Sequence, residues 1–344
     1  MKTFLGFQKG INLGGWLSQS IETTKEYYDT FITEQDIKDI AAMGLDHVRL
    51  PVDYTMIEDE EGNAIEEGFA YIDNCIQWCK NAGLKMLLDM HNTFGYTFDP
   101  LEKGDKEIFF HSEDLQKRFY AMWDRISARY AAYNDMMAYE LLNEVVSRNV
   151  VEEWNDIIEK AVAVIRKNAP ETYIVFGGVC YNSVGTVPLL RQPVDDHIVF
   201  TFHCYEPMIF THQSAYWVDN MPQDLKVEYP GPVEEYAKLT KMLPPELAGS
   251  VNDKGIERFD DKFFEQIFTP ALETAAKFDV PLYCGEYGVI DKADGESTVR
   301  WLKDINTVFV KYGIGRALWN YKEKDFGITD PHLADIRDEM EKYL

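Results

Sequence analysis

Cysteine is scarce in this chain of 344 residues, which contains five cysteines, an odd number with irregular spacing. Cys75 and Cys79 lie in a helical pattern, and no second pair accompanies them to complete a four-ligand metal site. Disulfide frameworks are typical of short secreted chains with paired cysteines, so this chain does not fit that class. We expect buried free thiols at both positions and at Cys180, Cys204 and Cys284, and we expect no metal.

Positive charge is also in short supply. Lysine and arginine together number 34 against 59 aspartates and glutamates, which gives a formal net charge of −25. Nucleic acids and anionic membranes are recognised by basic surfaces, so neither is an expected partner. A neutral polymer would not be repelled by such a charge.

Long apolar runs and phosphate-binding loops are missing as well. No run reaches the 18 apolar residues of a candidate membrane span. Lys9 interrupts the N-terminal apolar stretch before the core of a secretion signal could form. Gly10, Gly14 and Gly15 lack the spacing of a dinucleotide-binding turn, so no cofactor is expected.

Short apolar runs alternate with helical patterns throughout the chain. Eight strand–helix pairs without repeats favour one (β/α)8 TIM barrel domain over residues 1–344 rather than an open sheet. The predicted strands are Lys9–Trp16, His47–Val52, Lys85–His91, Met136–Glu144, Tyr173–Val179, Ile198–His203, Pro281–Val289 and Gly315–Asn320. Helices are predicted over Thr33–Met43, Phe69–Asn81, Ser112–Ala131, Val151–Asn168, Asp261–Phe278, Glu296–Tyr312 and His332–Tyr343.

The alternation breaks after the sixth predicted strand. Residues 207–259, approximately, form a stretch that is too long for a plain connection in a compact domain. It contains Pro222, Pro230, Pro232, Pro244 and Pro245. We interpret it as an inserted subdomain that caps the C-terminal face of the barrel.

Polar side chains stand at or just after the C-terminal ends of most predicted strands. Those ends meet on one face of a barrel, where barrel enzymes keep their active sites. One such residue alone could be a satisfied core polar group, but their repetition at one face indicates a site. They are Arg49 (strand two), His91 and Asn92 (three), Asn143 and Glu144 (four), His203 and Tyr205 (six), Glu286 (seven) and Trp319 (eight).

Glu144 and Glu286 suggest a specific chemistry. Hydrolysis of a glycosidic bond needs one carboxyl group to protonate the leaving oxygen and a second to attack carbon or activate water. Arg49 and Tyr205 would hold Glu286 ionised, whereas burial and a neighbouring negative charge would keep Glu144 protonated. Asn143 could donate a hydrogen bond to the sugar 2-hydroxyl.

The sequence resembles glycoside hydrolase family 5 over nearly its whole length. Asn143-Glu144 is similar to the family's acid/base signature, and Glu286 in Tyr-Cys-Gly-Glu-Tyr-Gly is similar to its nucleophile. The residues that match the remaining cleft positions are Arg49, His91, His203, Tyr205 and Trp319. The resemblance implies a retaining endo-β-1,4-glucanase that hydrolyses cellulosic or mixed-linkage β-glucans by double displacement, without a cofactor.

The resemblance departs from its pattern at Asn92, where a second histidine is expected after His91. Asparagine still donates and accepts hydrogen bonds, but it cannot carry a charge. We expect a monomer whose partner is the glucan. A polymeric substrate would favour secretion, although the sequence itself leaves the location open.

Several alternatives remain open from the residues. A β-mannanase or a β-1,3-glucanase would use the same catalytic parts, with specificity set by loops. A metal hydrolase would need a third ligand beside His91 and His203. A non-catalytic carbohydrate-binding barrel would need aromatic platforms, for which Trp16, Phe210 and Trp217 are candidates, but it would not need both carboxylates.

Overall fold

The computed structural model describes residues 1–244, 247–249, 251 and 255–344. Eight parallel strands close into a barrel in chain order, which confirms the predicted (β/α)8 architecture. They are β1 (Gly10–Asn12), β2 (His47–Val52), β3 (Lys85–Met90), β4 (Met137–Glu140), β5 (Tyr173–Gly177), β6 (Ile198–Cys204), β7 (Leu282–Tyr287) and β8 (Gly315–Leu318).

Helices surround the barrel and carry the chain from one strand to the next. They are α1 (Lys25–Thr30), α2 (Glu34–Ala42), α3 (Tyr54–Ile57), α4 (Glu66–Ala82), α5 (Ile108–His111), α6 (Glu113–Tyr130), α7 (Val151–Ile165), α8 (Met208–Thr211), α9 (Val233–Thr240), α10 (Asp261–Phe278), α11 (Gly295–Tyr312) and α12 (Arg337–Met340). Short 3-10 helices occupy Ala131–Tyr133, Arg148–Val150, Val184–Leu189, Pro331–Leu333 and Glu341–Tyr343.

Local sequence sets the helix ends. Thr33 and Asp36 form a capping box at the start of α2, so each side chain satisfies a backbone amide of the first turn. The final predicted helix, His332–Tyr343, is instead broken into short turns. The strand–helix alternation also departs from the prediction between β5 and β6, which are joined by a 3-10 helix containing Pro188. Proline there removes an amide donor and disfavours a longer helix.

The apolar core has two layers. Side chains that point into the lower barrel form a small inner cluster, which Phe4 and Phe7 close from below as a stacked pair. The larger cluster lies between the strands and the surrounding helices. Since successive residues of a strand point to opposite faces, this separation tells which positions look into the barrel.

The pairing of β7 with its neighbours contains a bulge at Gly285. Cys284 pairs with Phe202 and Glu286 pairs with His203, so Gly285 is the extra residue. Tyr283 belongs to the inner cluster and Cys284 to the outer one, so strict alternation would point Glu286 out of the barrel. The bulge shifts that alternation by one residue and turns Glu286 inwards.

The segment 207–259 follows β6 and carries α8 and α9. Its side chains contribute to one wall of the cleft described below. That it is an inserted subdomain stays a prediction, and Pro245 lies outside the described residues. The five cysteines form no disulfide, and all except the half-buried Cys180 are buried. Among the described helices, none is long and apolar enough to cross a bilayer.

Candidate active site

Arg49 is the centre of the polar network at the C-terminal end of the barrel. It comes from β2, is completely buried and points inwards, between the outward-facing Val48 and Leu50. Its guanidinium donates to Glu140 through Nε (2.8 Å) and Nη2 (3.1 Å), and to Glu286 through Nη1 (2.8 Å). Further acceptors are Asn12 Oδ1 and Asn143 Oδ1, both at 2.9 Å. The donors of Arg49 are therefore all engaged, and the side chain has one fixed geometry.

Two buried carboxylates beside Arg49 were missed by reasoning from strand ends. Glu140 is the last residue of β4, and Asp89 of β3 lies 3.1 Å from Arg49 Nη2. Burial raises the pKa of each carboxyl group to about 7, and the positive charge of Arg49 opposes the shift. The signal that could have found them is alternation, because each stands two residues after an inner-cluster position, Leu87 or Ala138.

Glu286 is held by donors on both of its oxygens. Arg49 Nη1 contacts Oε1, and the Tyr205 hydroxyl donates to Oε2 at 2.9 Å. Burial raises the pKa of Glu286, whereas the charge of Arg49 and the hydrogen bond from Tyr205 act to lower it. These donors stabilise the carboxylate form and aim it into the cleft.

Glu144 has a different environment. It lies beyond the end of β4, which stops at Glu140 and not at Glu144 as predicted. Its Oε1 is 2.8 Å from His203 Nδ1, and the side chain is 12% exposed. Burial, followed by the negative charge of Glu286, raises the pKa of Glu144 well above its usual value. Among the described residues no guanidinium donates to Glu144, so its environment favours the protonated form more than that of Glu286 does.

The two glutamates face each other across a short gap. One carboxylate oxygen of Glu144 and one of Glu286 lie within 4.8 Å of each other and of a ring nitrogen of His203. Retaining glycosidases place their two carboxyl groups about 5–5.5 Å apart. The same three groups could in principle ligate a cation, but Glu286 is already engaged by the charge of Arg49. The geometry therefore matches a carboxylate pair more closely than a metal centre.

His91 and Trp319 form one side of the site. Their rings are parallel, with centroids 5.7 Å apart and planes 3° from each other. Asp89 Oδ2 accepts from His91 Nδ1 at 2.6 Å, and burial lowers the pKa of His91 to about 4, so the ring is neutral. A Cβ on Gly14 would stand 2.5 Å from the Trp319 indole, so only glycine fits there.

The side-chain carboxamide of Asn143 uses its oxygen, but not its nitrogen, in the network around Arg49. Its Oδ1 accepts from Arg49, while its Nδ2 is buried and has no partner among the described residues. A buried amide without a partner is costly unless a ligand satisfies it. The unpartnered Nδ2 therefore makes Asn143 a candidate hydrogen-bond donor to a bound ligand.

The cleft has a volume of about 590 Å³. Of the predicted site residues, Glu144, Glu286, His91, His203, Tyr205 and Trp319 line it. Arg49 lies behind Glu286, to which it donates, and Asn143 accepts from Arg49. Asn92 does not line it, and its carboxamide oxygen accepts from the amide of Tyr54 at 3.0 Å. Among the suggested aromatic platforms, Trp217 lines the cleft beside the exposed Tyr216, whereas Trp16 and Phe210 are wholly buried elsewhere.

Comparison with known proteins identifies the family of this chain. Residues 8–325 match the model of the family described as Cellulase (glycosyl hydrolase family 5). Cellodextrinase A of Ruminococcus flavefaciens is 40% identical over 312 residues, which cover 90% of this chain and 84% of the relative. Endoglucanase C of Acetivibrio thermocellus is 39% identical over 348 residues, covering 99% and 98% respectively.

Solved structures show the same fold at lower sequence identity. Endoglucanase Cel5A from the hyperthermophilic Thermotoga maritima has a TM-score of 0.77 at 24% identity, with 98% of this chain and 97% of that one covered. The family match over most of the chain and the two relatives at 39–40% identity carry the assignment beyond the fold. This chain belongs to the cellulase family, glycosyl hydrolase family 5, and is a glycoside hydrolase of the cellulase class.

Proposed function

We propose that the protein is a retaining endo-β-1,4-glucanase that cleaves cellulosic or mixed-linkage β-glucans by double displacement. The observation that carries the proposal is the gap of less than 4.8 Å between Glu144 and Glu286, combined with their opposite environments. That spacing leaves room for the sugar carbon but not for an additional water, as direct attack by a carboxylate requires.

In the first step Glu286 attacks the anomeric carbon while Glu144 gives its proton to the departing glycosidic oxygen. The glycosyl–Glu286 ester forms as the glycosidic bond breaks, and the shortened glucan leaves with the proton. In the second step Glu144, now ionised, takes a proton from water, and that water displaces Glu286. Glu144 ends protonated and Glu286 ionised, so the cycle closes.

The surrounding residues support these steps. Arg49 and Tyr205 keep Glu286 charged and oriented for attack, since both donate to its oxygens. Asn143 Nδ2, which is buried and has no partner among the described residues, would donate to the sugar 2-hydroxyl, a contact that strengthens at the transition state. Trp319, stacked on His91, offers an apolar ring face to the sugar. A carbohydrate-binding barrel without activity would have no use for the carboxylate pair.

The endoglucanase name of one relative and the cellodextrinase name of another support β-1,4-glucan as the substrate. The test compares initial rates on carboxymethylcellulose, lichenan, laminarin, mannan and short cellodextrins, with product lengths resolved by chromatography. We expect internal cleavage of the first two polymers. A preference for mannan or laminarin would overturn the substrate assignment, and an α-anomer as the first product in a proton NMR time course would overturn the retaining mechanism.

A further inference from the structure

The backbone around Glu144 depends on a side chain from another loop. Glu144 lies four residues beyond the last residue of β4 and outside any helix or strand. The amide of Asn143 still donates to Met90 O at 2.9 Å, but Met90 is the last residue of β3. Because β3 ends at Met90, the backbone amides and carbonyls that follow Asn143 need hydrogen-bond partners outside the sheet.

The hydroxyl oxygen of Tyr96 is the hydrogen-bond partner of two of these backbone groups. Its hydroxyl donates to the carbonyl of Glu144 at 2.5 Å and accepts from the amide of Val146 at 3.0 Å. A phenol can donate once and accept, so this arrangement uses the group fully. The two backbone groups lie on either side of Val145, so the bridge fixes the backbone that directly follows Glu144.

Tyr96 is itself rigidly placed. It is 4% exposed, and its ring meets Phe110 edge-on with centroids 5.3 Å apart. Its amide donates to Thr93 O and its carbonyl accepts from the amide of Thr93, which closes a tight turn. The loop between β3 and α6 makes a second connection through Glu107, which accepts from Ser147 Oγ at 2.5 Å.

We infer that Tyr96 is a positioning residue for the general acid: its hydroxyl holds the backbone that directly follows Glu144 so that the carboxyl group reaches the departing glycosidic oxygen. Tyr96 does not line the cleft. The inference rests on the proposed function, because it requires Glu144 to be the proton donor. Small displacements of a catalytic group are enough to reduce the rate about a hundredfold.

The test is Tyr96→Phe, which removes only the hydroxyl, measured on aryl β-cellobiosides that differ in leaving-group pKa. A dinitrophenolate leaves without protonation, whereas a poor leaving group needs the acid. We expect kcat/KM to fall about 10- to 100-fold for poor leaving groups and less than about threefold for dinitrophenyl cellobioside. A role confined to general structure would lower all of these rates alike, and that result would overturn the inference.

Two further variants make the outcome specific. Tyr236→Phe removes an equally buried hydroxyl that donates to a backbone carbonyl, that of Glu228, away from Glu144, and should leave the leaving-group dependence unchanged. Glu144→Gln should show a steeper dependence than Tyr96→Phe. If Glu144→Gln shows none, the proposed function fails; if it does and Tyr96→Phe does not, only the positioning role fails.

Active-site titration with the dinitrophenyl substrate normalises each rate to the folded fraction. Should Tyr96→Phe be insoluble, Glu107→Ala tests the same anchoring, because it removes the acceptor of the Ser147 hydroxyl at a half-buried position of the loop. We expect the same leaving-group signature at about two- to fivefold. Its absence in that variant would contradict the inference.

Discussion

The two glutamates of the cleft are held in opposite ways. Glu286 belongs to β7 and points inwards because of the bulge at Gly285. Its two oxygens accept hydrogen bonds from Arg49 and Tyr205. Glu144 lies on a loop, and its carboxyl group forms a hydrogen bond with His203, whose ring is neutral because burial lowers its pKa. This difference explains how one cleft favours a charged Glu286 and a protonated Glu144, because the guanidinium and hydroxyl donors contact Glu286.

The first test of the difference between Glu144 and Glu286 removes the charge of Glu286, and we expect it to have the largest effect. Glu286→Gln keeps the shape of the side chain but cannot form the glycosyl ester, so we expect kcat/KM to fall by about 10⁴-fold or more for every leaving group. Binding of cellotriose, measured by calorimetry, should stay within about threefold, because the stacking and hydrogen-bonding groups remain. Retention of more than about one hundredth of the activity would mean that Glu286 is not the nucleophile.

A smaller change separates the two donors of Glu286. Tyr205→Phe leaves the pair with Arg49 intact and removes the hydroxyl that lowers the pKa of Glu286. A hydrogen bond to a charged group contributes about 1.5–3 kcal/mol, so kcat/KM should fall about 10- to 100-fold. Because the pKa of Glu286 rises, the acidic limb of the pH–rate profile should move to higher pH.

The matched control for that variant is Tyr120→Phe. The hydroxyl of Tyr120 is buried and has no hydrogen-bond partner within the described ranges, so its loss should alter neither rate nor profile. An unchanged acidic limb in Tyr205→Phe, with a normal limb in the control, would show that Tyr205 does not tune Glu286.

The sequence reveals the barrel and its principal polar residues because both follow from period and position. Alternating apolar runs and helical patterns predict eight strands, and their C-terminal ends identify Arg49, Glu144 and Glu286. Asp89 and Glu140 stand inside the predicted strands Lys85–His91 and Met136–Glu144, where only inward alternation distinguishes them from ordinary core positions. Reasoning from strand ends alone passes over them.

Other features depend on contacts between distant loops, which no local pattern encodes. The hydroxyl of Tyr96 reaches the Glu144 carbonyl 48 residues away, and nothing around Tyr96 in the sequence indicates it. The bulge at Gly285 is equally hidden, since an alternating pattern would point Glu286 outwards. Asn92 follows an inward residue, His91, and its side chain accordingly satisfies the Tyr54 amide rather than lining the cleft.

The last test of the comparison measures stability rather than rate, and it uses the carboxylates that share Arg49 with Glu286. Asp89 has a folded-state pKa of about 7 against a usual 3.8, so its contribution to stability is present below about pH 4 and is lost as the pH rises through 7. Asp89→Asn cannot titrate. The fall in the free energy of unfolding between pH 4 and 7 should therefore shrink, by up to about 4 kcal/mol, in denaturant titrations. Asp59→Asn, at a partly exposed carboxylate whose pKa is lowered by hydrogen bonds from Asn63, should leave that slope unchanged. Equal slopes in Asp89→Asn and the parent would mean that Asp89 is already ionised at pH 4, and that Arg49 serves all three carboxylates at once.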